Sequence, residues 1–252
     1  MTDLADMVFF RFSREMDAVF DLLKQKNEKL DPRNWEKIWP DSPARWVLKF
    51  LAQAMIASAD STCLNRHTGA CVVDIRVQQN GDLAPFALSS CFNGAPTGID
   101  PCSKKGFCHY KELAFKAFEE KKGKDRYRWG DGWRGEFKEF KAAFFQYCLA
   151  CHAEMNAIYF SPVPVFGKML FTTTDPCPEC AKLIVQQGIS AVIYAVPYKV
   201  DQSGPRLAEQ SRYLFEQANI PCINIEVPHG YFPWIFQNIQ GAGRGIVDAK
   251  FE

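Results

Sequence analysis

Apolar positions recur with two different periods along this 252-residue chain. Between residues 4 and 28, Phe12, Met16, Val19, Phe20 and Leu23 lie three or four apart, which predicts one apolar face of a helix. Asp31-Pro32 and Pro40-Asp41-Ser42-Pro43 then break the chain. Residues 44–59 read as a second helix, with Val47, Phe50, Leu51, Ala54 and Met55 on one side. Gly69-Ala70-Cys71-Val72-Val73 is short and continuously apolar, the pattern of a buried strand, and residues 85–91 predict a second strand beyond the Asn80-Gly81 turn signal.

The second half alternates between the two patterns. Helix is expected over residues 151–160, 177–187 (closed by Gly188) and 206–218. Strand is expected over 168–173, 191–195 and 222–226. Five strands interleaved with helices predict a layered α/β fold. The pattern divides the chain into a helical extension (1–43), a main domain (44–227) and an aromatic tail (228–252) carrying Tyr231, Phe232, Trp234 and Phe236, read as a surface cover. Residues 103–147 are charged, aromatic and without clear period, and are expected to be an irregular insertion.

Charge then narrows the function. Lys and Arg number 30 against 29 Asp and Glu, a net charge of +1. That balance argues against non-specific binding to long nucleic acid, which needs a basic footprint, but not against one small phosphorylated ligand. Lys121, Lys122, Lys124, Arg126 and Arg128, with Tyr127, Trp129 and Trp133, would suit a nucleic-acid contact, yet Glu119, Glu120, Asp125 and Asp131 are mixed among them, as on a solvated face. No stretch of about 18 apolar residues predicts a membrane span. Asp3 and Asp6 stand where an export signal carries positive charge, so the ten cysteines read as reduced thiols or metal ligands in a cytoplasmic protein.

The chemistry concentrates in two segments: His152-Ala153-Glu154, and Pro176-Cys177-Pro178-Glu179-Cys180 beginning 24 residues after His152. His and Cys are the ligands zinc prefers, and three protein ligands leave the fourth position of a catalytic zinc open. Cys-x-x-Cys at a helix start can bring two sulfurs to one ion, and the helix terminus favours thiolate. Glu154 sits near that ion without being needed as a ligand, which suits a proton carrier. Either segment alone is commonplace. Together, with a strand between them, they make the signature of zinc-dependent nucleobase deaminases.

The chain resembles the cytidine deaminase superfamily, and within it the deoxycytidylate deaminase branch. The resemblance rests on Ser61-Thr62-Cys63-Leu64-Asn65-Arg66-His67-Thr68-Gly69-Ala70, on Phe92-Asn93-Gly94-Ala95-Pro96-Thr97-Gly98, on Cys151-His152-Ala153-Glu154-Met155-Asn156-Ala157-Ile158 and on residues 175–194. It implies a three-layer α/β/α fold with a five-stranded mixed sheet, zinc on His152, Cys177 and Cys180, and Glu154 as the catalytic acid–base. It further implies that the Ala153 backbone N–H meets the pyrimidine, that Asn93 faces the sugar, and that Arg66 or Lys199 meets the 5′-phosphate. Homo-oligomers are common in the branch, and a deoxynucleoside triphosphate effector stays open. Phe92 stands where Tyr is usual, Asp201 lies further behind Tyr198 than the usual acid, and 103–147 is longer than in compact members.

Cys63, Cys102, Cys108 and Cys148 fall outside this set, with His109 beside Cys108. Some members of the branch use cysteines at the first two positions in an additional zinc site. The resemblance thus implies a second, structural zinc on these four, His109 being an alternative ligand; the other reading is four free thiols. Two other functions stay open: deamination of a base in tRNA or single-stranded DNA, and a non-catalytic zinc module that senses a nucleotide. The intact Glu154 speaks against the latter.

Overall fold

The structure is a computed structural model, and it describes residues 44–77, 83–126, 129–130, 132–197, 204–225 and 227. The helix expected over 4–28, the aromatic tail and Lys199 lie outside the described residues.

The first element is helix α1 (Ala44–Ser58). Val47, Leu48, Phe50, Leu51 and Ala54 are buried, so the apolar face read from the sequence is the face that meets the sheet. Strands β1 (Gly69–Val77) and β2 (Leu83–Phe92) follow as an antiparallel pair. The register slips between Val72 and Val73, leaving Leu88 without an opposite partner. Then come helices α2 (Cys102–Lys105), α3 (His109–Lys122) and α4 (Trp133–Ala142) and a 3-10 turn at Phe145–Tyr147. Helix α5 (Ala153–Tyr159), β3 (Met169–Thr174), α6 (Pro178–Gln186), β4 (Ala191–Val196), α7 (Gly204–Gln217) and β5 (Cys222–Asn224) complete the domain.

The five strands form one mixed sheet in the order β2-β1-β3-β4-β5. β1 is antiparallel to both its neighbours, and β3, β4 and β5 run parallel. Central strands are covered on both faces, which explains their unbroken apolar runs. Cys71, Val73, Met169, Phe171 and Ile193 pack on the α1 side. Ala70, Val72, Leu170 and Val192 pack with Ala157 of α5, Ile184 of α6 and Phe215 of α7 on the other. This is the three-layer α/β/α arrangement expected from the sequence.

The insertion is not irregular. Its two main helices enclose a small core of rings in which Phe118 lies 5.4 Å from Trp129, 5.4 Å from Phe137 and 5.3 Å from Phe140. Edge-to-face pairs at this spacing are the preferred aromatic geometry. The cations are held internally as well: Lys122 pairs with Glu136, and Arg126 with Glu119 while lying over the Phe115 ring. Charges so engaged do not form a free basic stripe. Among the described residues no helix is long and apolar enough to cross a membrane.

One close approach fixes the seating of α1. A Cβ on Gly69 would stand 1.9 Å from the Ala54 carbonyl oxygen, so only glycine lets β1 start against α1. Gly69→Ala must push the two apart. We expect it to lower the unfolding free energy by about 1–3 kcal/mol or more, as overpacking does. An unchanged urea midpoint would contradict this contact.

Candidate metal centre

Two helix starts build the centre. His152 precedes α5 and Cys177 precedes α6, both with extended backbone, and neither side chain makes a capping hydrogen bond. Both are therefore free to turn elsewhere. Pro178 at the first position of α6 supplies a preset φ where its missing N–H costs nothing. Cys180 stands one turn on, buried to 0% exposure. His152 is fixed from the other side. The neighbouring Cys151 exchanges both backbone hydrogen bonds with Gly94, at 3.1 and 2.8 Å, and the Asn156 amide donates to the Phe92 carbonyl at 2.8 Å. The end of β2 thus holds the start of α5.

The side chains converge. His152 Nδ1 lies 3.3 Å from Cys177 Sγ and 3.3 Å from Cys180 Sγ. Among the described residues this is the group of three metal-ligating side chains whose ligand atoms all fall within 4.8 Å of one another. One nitrogen and two sulfurs fit zinc, whose tetrahedral ligand distances of about 2.0–2.3 Å demand such a spacing. Hydrogen bonds link the three side chains directly. Hydrogen bonding from Cys180 and His152 pulls the Cys177 thiol down to about 4. The same Cys177 bond lifts His152 to about 9 against the opposing effect of burial. Cys180 is driven up by its hydrogen bond with Cys177 and by burial.

Glu154 is 3% exposed and borders these ligands. Burial pushes its carboxyl up to about 7, opposed by the charge of His152 and by hydrogen bonds from its own N–H and from Cys180. It stands in the first turn of α5, where backbone N–H groups favour a carboxylate. Ala153 opens the same helix and is fully buried; its N–H is one of the first-turn donors that no helical carbonyl takes.

The remaining sequence-derived residues fall at different distances from this centre. Asn93 is 7% exposed and ties down the 61–68 loop. Its Oδ1 accepts from Thr68 N–H at 2.8 Å and from Ser61 Oγ at 2.7 Å, and its Nδ2 donates to the Arg66 carbonyl at 2.8 Å. One amide hydrogen is left for another acceptor. Arg66 is half-buried, and its charge reaches Tyr110 of the insertion. Cys63 and Cys102 are buried, and the Ser103 N–H bond to Thr62 O brings their segments side by side. Cys108 precedes α3 and Cys148 follows the 3-10 turn. Burial, then the charge of other thiols in the set, raises both Cys108 and Cys148, so the four cysteines share one neighbourhood, though more loosely than the first set. His109 is half-buried beside them in sequence.

Asp175 was not singled out by the sequence reading. It is 2% exposed, neither carboxylate oxygen has a hydrogen-bond partner among the described residues, and burial pushes it to about 6 while Arg212 pulls it back. An acid immediately before Pro176-Cys177 was the available signal. A cavity of about 520 Å³ opens nearby, lined by Thr62, Phe92, Gly94, Pro96, Cys151 and Asn156; it borders neither Glu154 nor the three ligands.

Comparison with known proteins gives the same region. The family model for the cytidine and deoxycytidylate deaminase zinc-binding region matches residues 44–196. A probable deoxycytidylate deaminase of Drosophila melanogaster is 34% identical over 116 residues, covering 43% of this chain and 57% of that protein. The deoxycytidylate deaminase of Saccharomyces cerevisiae is 28% identical over 161 residues, 62% of this chain and 39% of that protein. That of Enterobacteria phage T2 is 28% identical over 182 residues, 69% of this chain and 91% of that protein. The chain thus spans little more than half of the fly protein's length and well under half of the yeast protein's.

The geometry separates ligands from their neighbour. Cys180→Ser removes a ligand and should leave the centre largely empty of zinc, whereas Glu154→Ala should keep it near the wild-type level. Metal analysis of protein purified without chelator checks both. Equal zinc loss in the two variants would make Glu154 a ligand.

Proposed function

This chain belongs to the cytidine and deoxycytidylate deaminase zinc-binding family, whose model spans residues 44–196, and from that premise we propose that it hydrolyses the exocyclic amino group of deoxycytidylate, releasing ammonia and leaving deoxyuridylate. The observation that carries this reading is the convergence of His152 Nδ1 with two sulfurs at 3.3 Å, with Glu154 buried beside them. Deoxycytidylate is the substrate named for the fly, yeast and phage T2 relatives.

Zinc, when bound, supplies the Lewis acidity that makes water nucleophilic near neutral pH. This chain's residues do the rest. His152, Cys177 and Cys180 hold the ion and leave a position open. Glu154 takes a proton from the attacking water and delivers protons to ring N3 and to the departing amine, so C4 loses its amino group as ammonia and gains the carbonyl oxygen. The Ala153 N–H meets the pyrimidine edge, and the remaining Asn93 amide hydrogen faces the sugar. Arg66 is our candidate for the 5′-phosphate. In the same reading the enzyme works in the cytoplasm as a homo-oligomer, with a deoxynucleoside triphosphate as the class of effector to test. A base within tRNA or single-stranded DNA is disfavoured, because Lys122 and Arg126 are already paired within the insertion.

A second zinc is also part of the proposal. Cys63, Cys102, Cys108 and Cys148 would close a four-ligand structural site, which needs no open position. Binding would draw the four sulfurs together and clamp both ends of the insertion to the 61–65 segment. His109 is the alternative to Cys108 or Cys148.

Ammonia release over a panel of cytosine and adenine bases, nucleosides and nucleotides tests the substrate. We expect kcat/KM for deoxycytidylate at least about tenfold above that for deoxycytidine, since a charge-assisted contact contributes about 1.5–3 kcal/mol. Equal or better turnover of the nucleoside would overturn the nucleotide assignment. Glu154→Ala should lose about 10²–10⁴-fold in rate or more; a wild-type rate would refute its role. For the second metal, elemental analysis should find two zinc ions per wild-type chain. Cys102→Ser should bind one fewer and become protease-sensitive within 103–147. A single zinc, undiminished in Cys102→Ser, would exclude the site.

A further inference from the structure

The insertion ends beside the metal centre, and one of its rings stays open there. Most of its aromatic side chains are used internally: Phe118 is 2% exposed, Trp129 6% and Tyr110 6%. Phe145 differs. It is 42% exposed, yet its ring lies 6.5 Å from the ring of His152, at an interplanar angle of 58°. A single exposed apolar ring is ordinary on a protein surface. This one is in ring contact with the imidazole of a metal ligand.

Phe145 is also held in position. It sits in the 3-10 turn (Phe145–Tyr147), whose backbone closes with Cys148 N–H donating to Phe145 O at 2.9 Å. Buried Tyr110 of α3 meets its ring edge-on at 5.5 Å and 79°. The half-buried Arg66 reaches the same Tyr110 electrostatically. Three features thus coincide: a solvent-facing aromatic surface, a rigid support behind it and a metal ligand next to it.

We propose that Phe145 is a substrate-contacting specificity residue, an aromatic wall supplied by the insertion against which the pyrimidine base rests when its C4 is brought to the metal centre. This rests on the deaminase reading above for the identity of the base. Aromatic contacts form at ring-centroid separations of about 4.5–7 Å, and a base held beside His152 falls within that reach. Base–aromatic stacking tolerates any planar ring, so Phe145 adds affinity for the base while the polar groups around Ala153 and Glu154 choose its identity.

The test compares zinc-loaded wild type with Phe145→Ala, Phe145→Leu and Phe145→Trp. Two readouts are used, steady-state deamination of deoxycytidylate and calorimetric binding of deoxyuridylate. We expect Phe145→Ala and Phe145→Leu to raise KM and the deoxyuridylate Kd about tenfold, with kcat within about threefold and zinc content unchanged. Phe145→Trp should stay within about threefold of wild type in both. A purely structural ring would instead lower kcat, zinc content and Tm together and leave the Kd ratio near one, which overturns the proposal. So would an equal effect of Leu and Trp. A wild type that binds deoxyuridylate but does not deaminate deoxycytidylate would sink the function and leave the Kd ratio to decide Phe145. A wild type that binds no pyrimidine nucleotide overturns both.

Discussion

Everything near the site depends on one geometric demand: two sulfurs, 25 and 28 residues along the chain from His152, must each come to 3.3 Å from its Nδ1. The fold meets it by starting two helices at the same place. α5 begins next to the end of β2 and α6 begins off the end of β3, so their first turns meet at the end of the sheet where both strands finish. Helix starts suit the task twice over. Residues there have backbone outside the helical region, which frees His152 and Cys177 to point at a common centre. The unpaired N–H groups of a first turn also favour the negative charge that thiolates and Glu154 must carry. The rest of the domain serves to keep the two starts in register: the Cys151–Gly94 bridge, the Asn156–Phe92 bond and the Asn93 ties to the 61–68 loop all brace the same corner.

That demand explains which parts were legible in the sequence. Metal ligands are few, chemically distinctive and set by short local spacings, so His152, Cys177 and Cys180 could be read without a fold. The strands were legible because burial on both faces leaves short continuous apolar runs, as in residues 69–73 and 191–195. Their ends were not, because pairing decides them: β1 runs on to Val77 because β2 keeps offering partners as far as Leu83. The insertion was misread for a different reason. Its helices alternate rings with charges, and the rings bury themselves against one another rather than against the main core. Phe118 gains its partners from Trp129, Phe137 and Phe140, up to 22 residues away, and no local period displays that. Asn93 was found as a residue but not in its bracing duty, since hydrogen bonds back to residues 61–68 span a distance in sequence that a motif does not convey.

Once its helices are recognised, the insertion becomes part of the working domain. It leaves the fold at Cys102 and returns at Cys148, and the electrostatic reach of Cys63 to both Cys108 and Cys148 puts its two ends on one patch. A loop of this length would lose much of its entropy on being ordered. The aromatic core offsets that loss, and pinning the ends together reduces it further. The last turn, Phe145–Tyr147, then lies with the Phe145 ring 6.5 Å from the His152 ring.

The same corner also carries a cost. Glu154 and Asp175 are both nearly fully buried, and among the described residues Asp175 has no hydrogen-bond partner for either oxygen. A buried carboxyl without partners destabilises a fold unless it keeps its proton or finds a compensating charge. Burial raises Asp175 toward protonation, and Arg212 of α7 supplies opposing charge at a distance. Its backbone is fixed all the same, with its N–H donating to Val196 O at 3.1 Å. That bond extends the β3–β4 ladder to the last residue before Pro176. The strand therefore stays in register until the chain turns to present Cys177, and the buried carboxyl sits where the position of a metal ligand is decided.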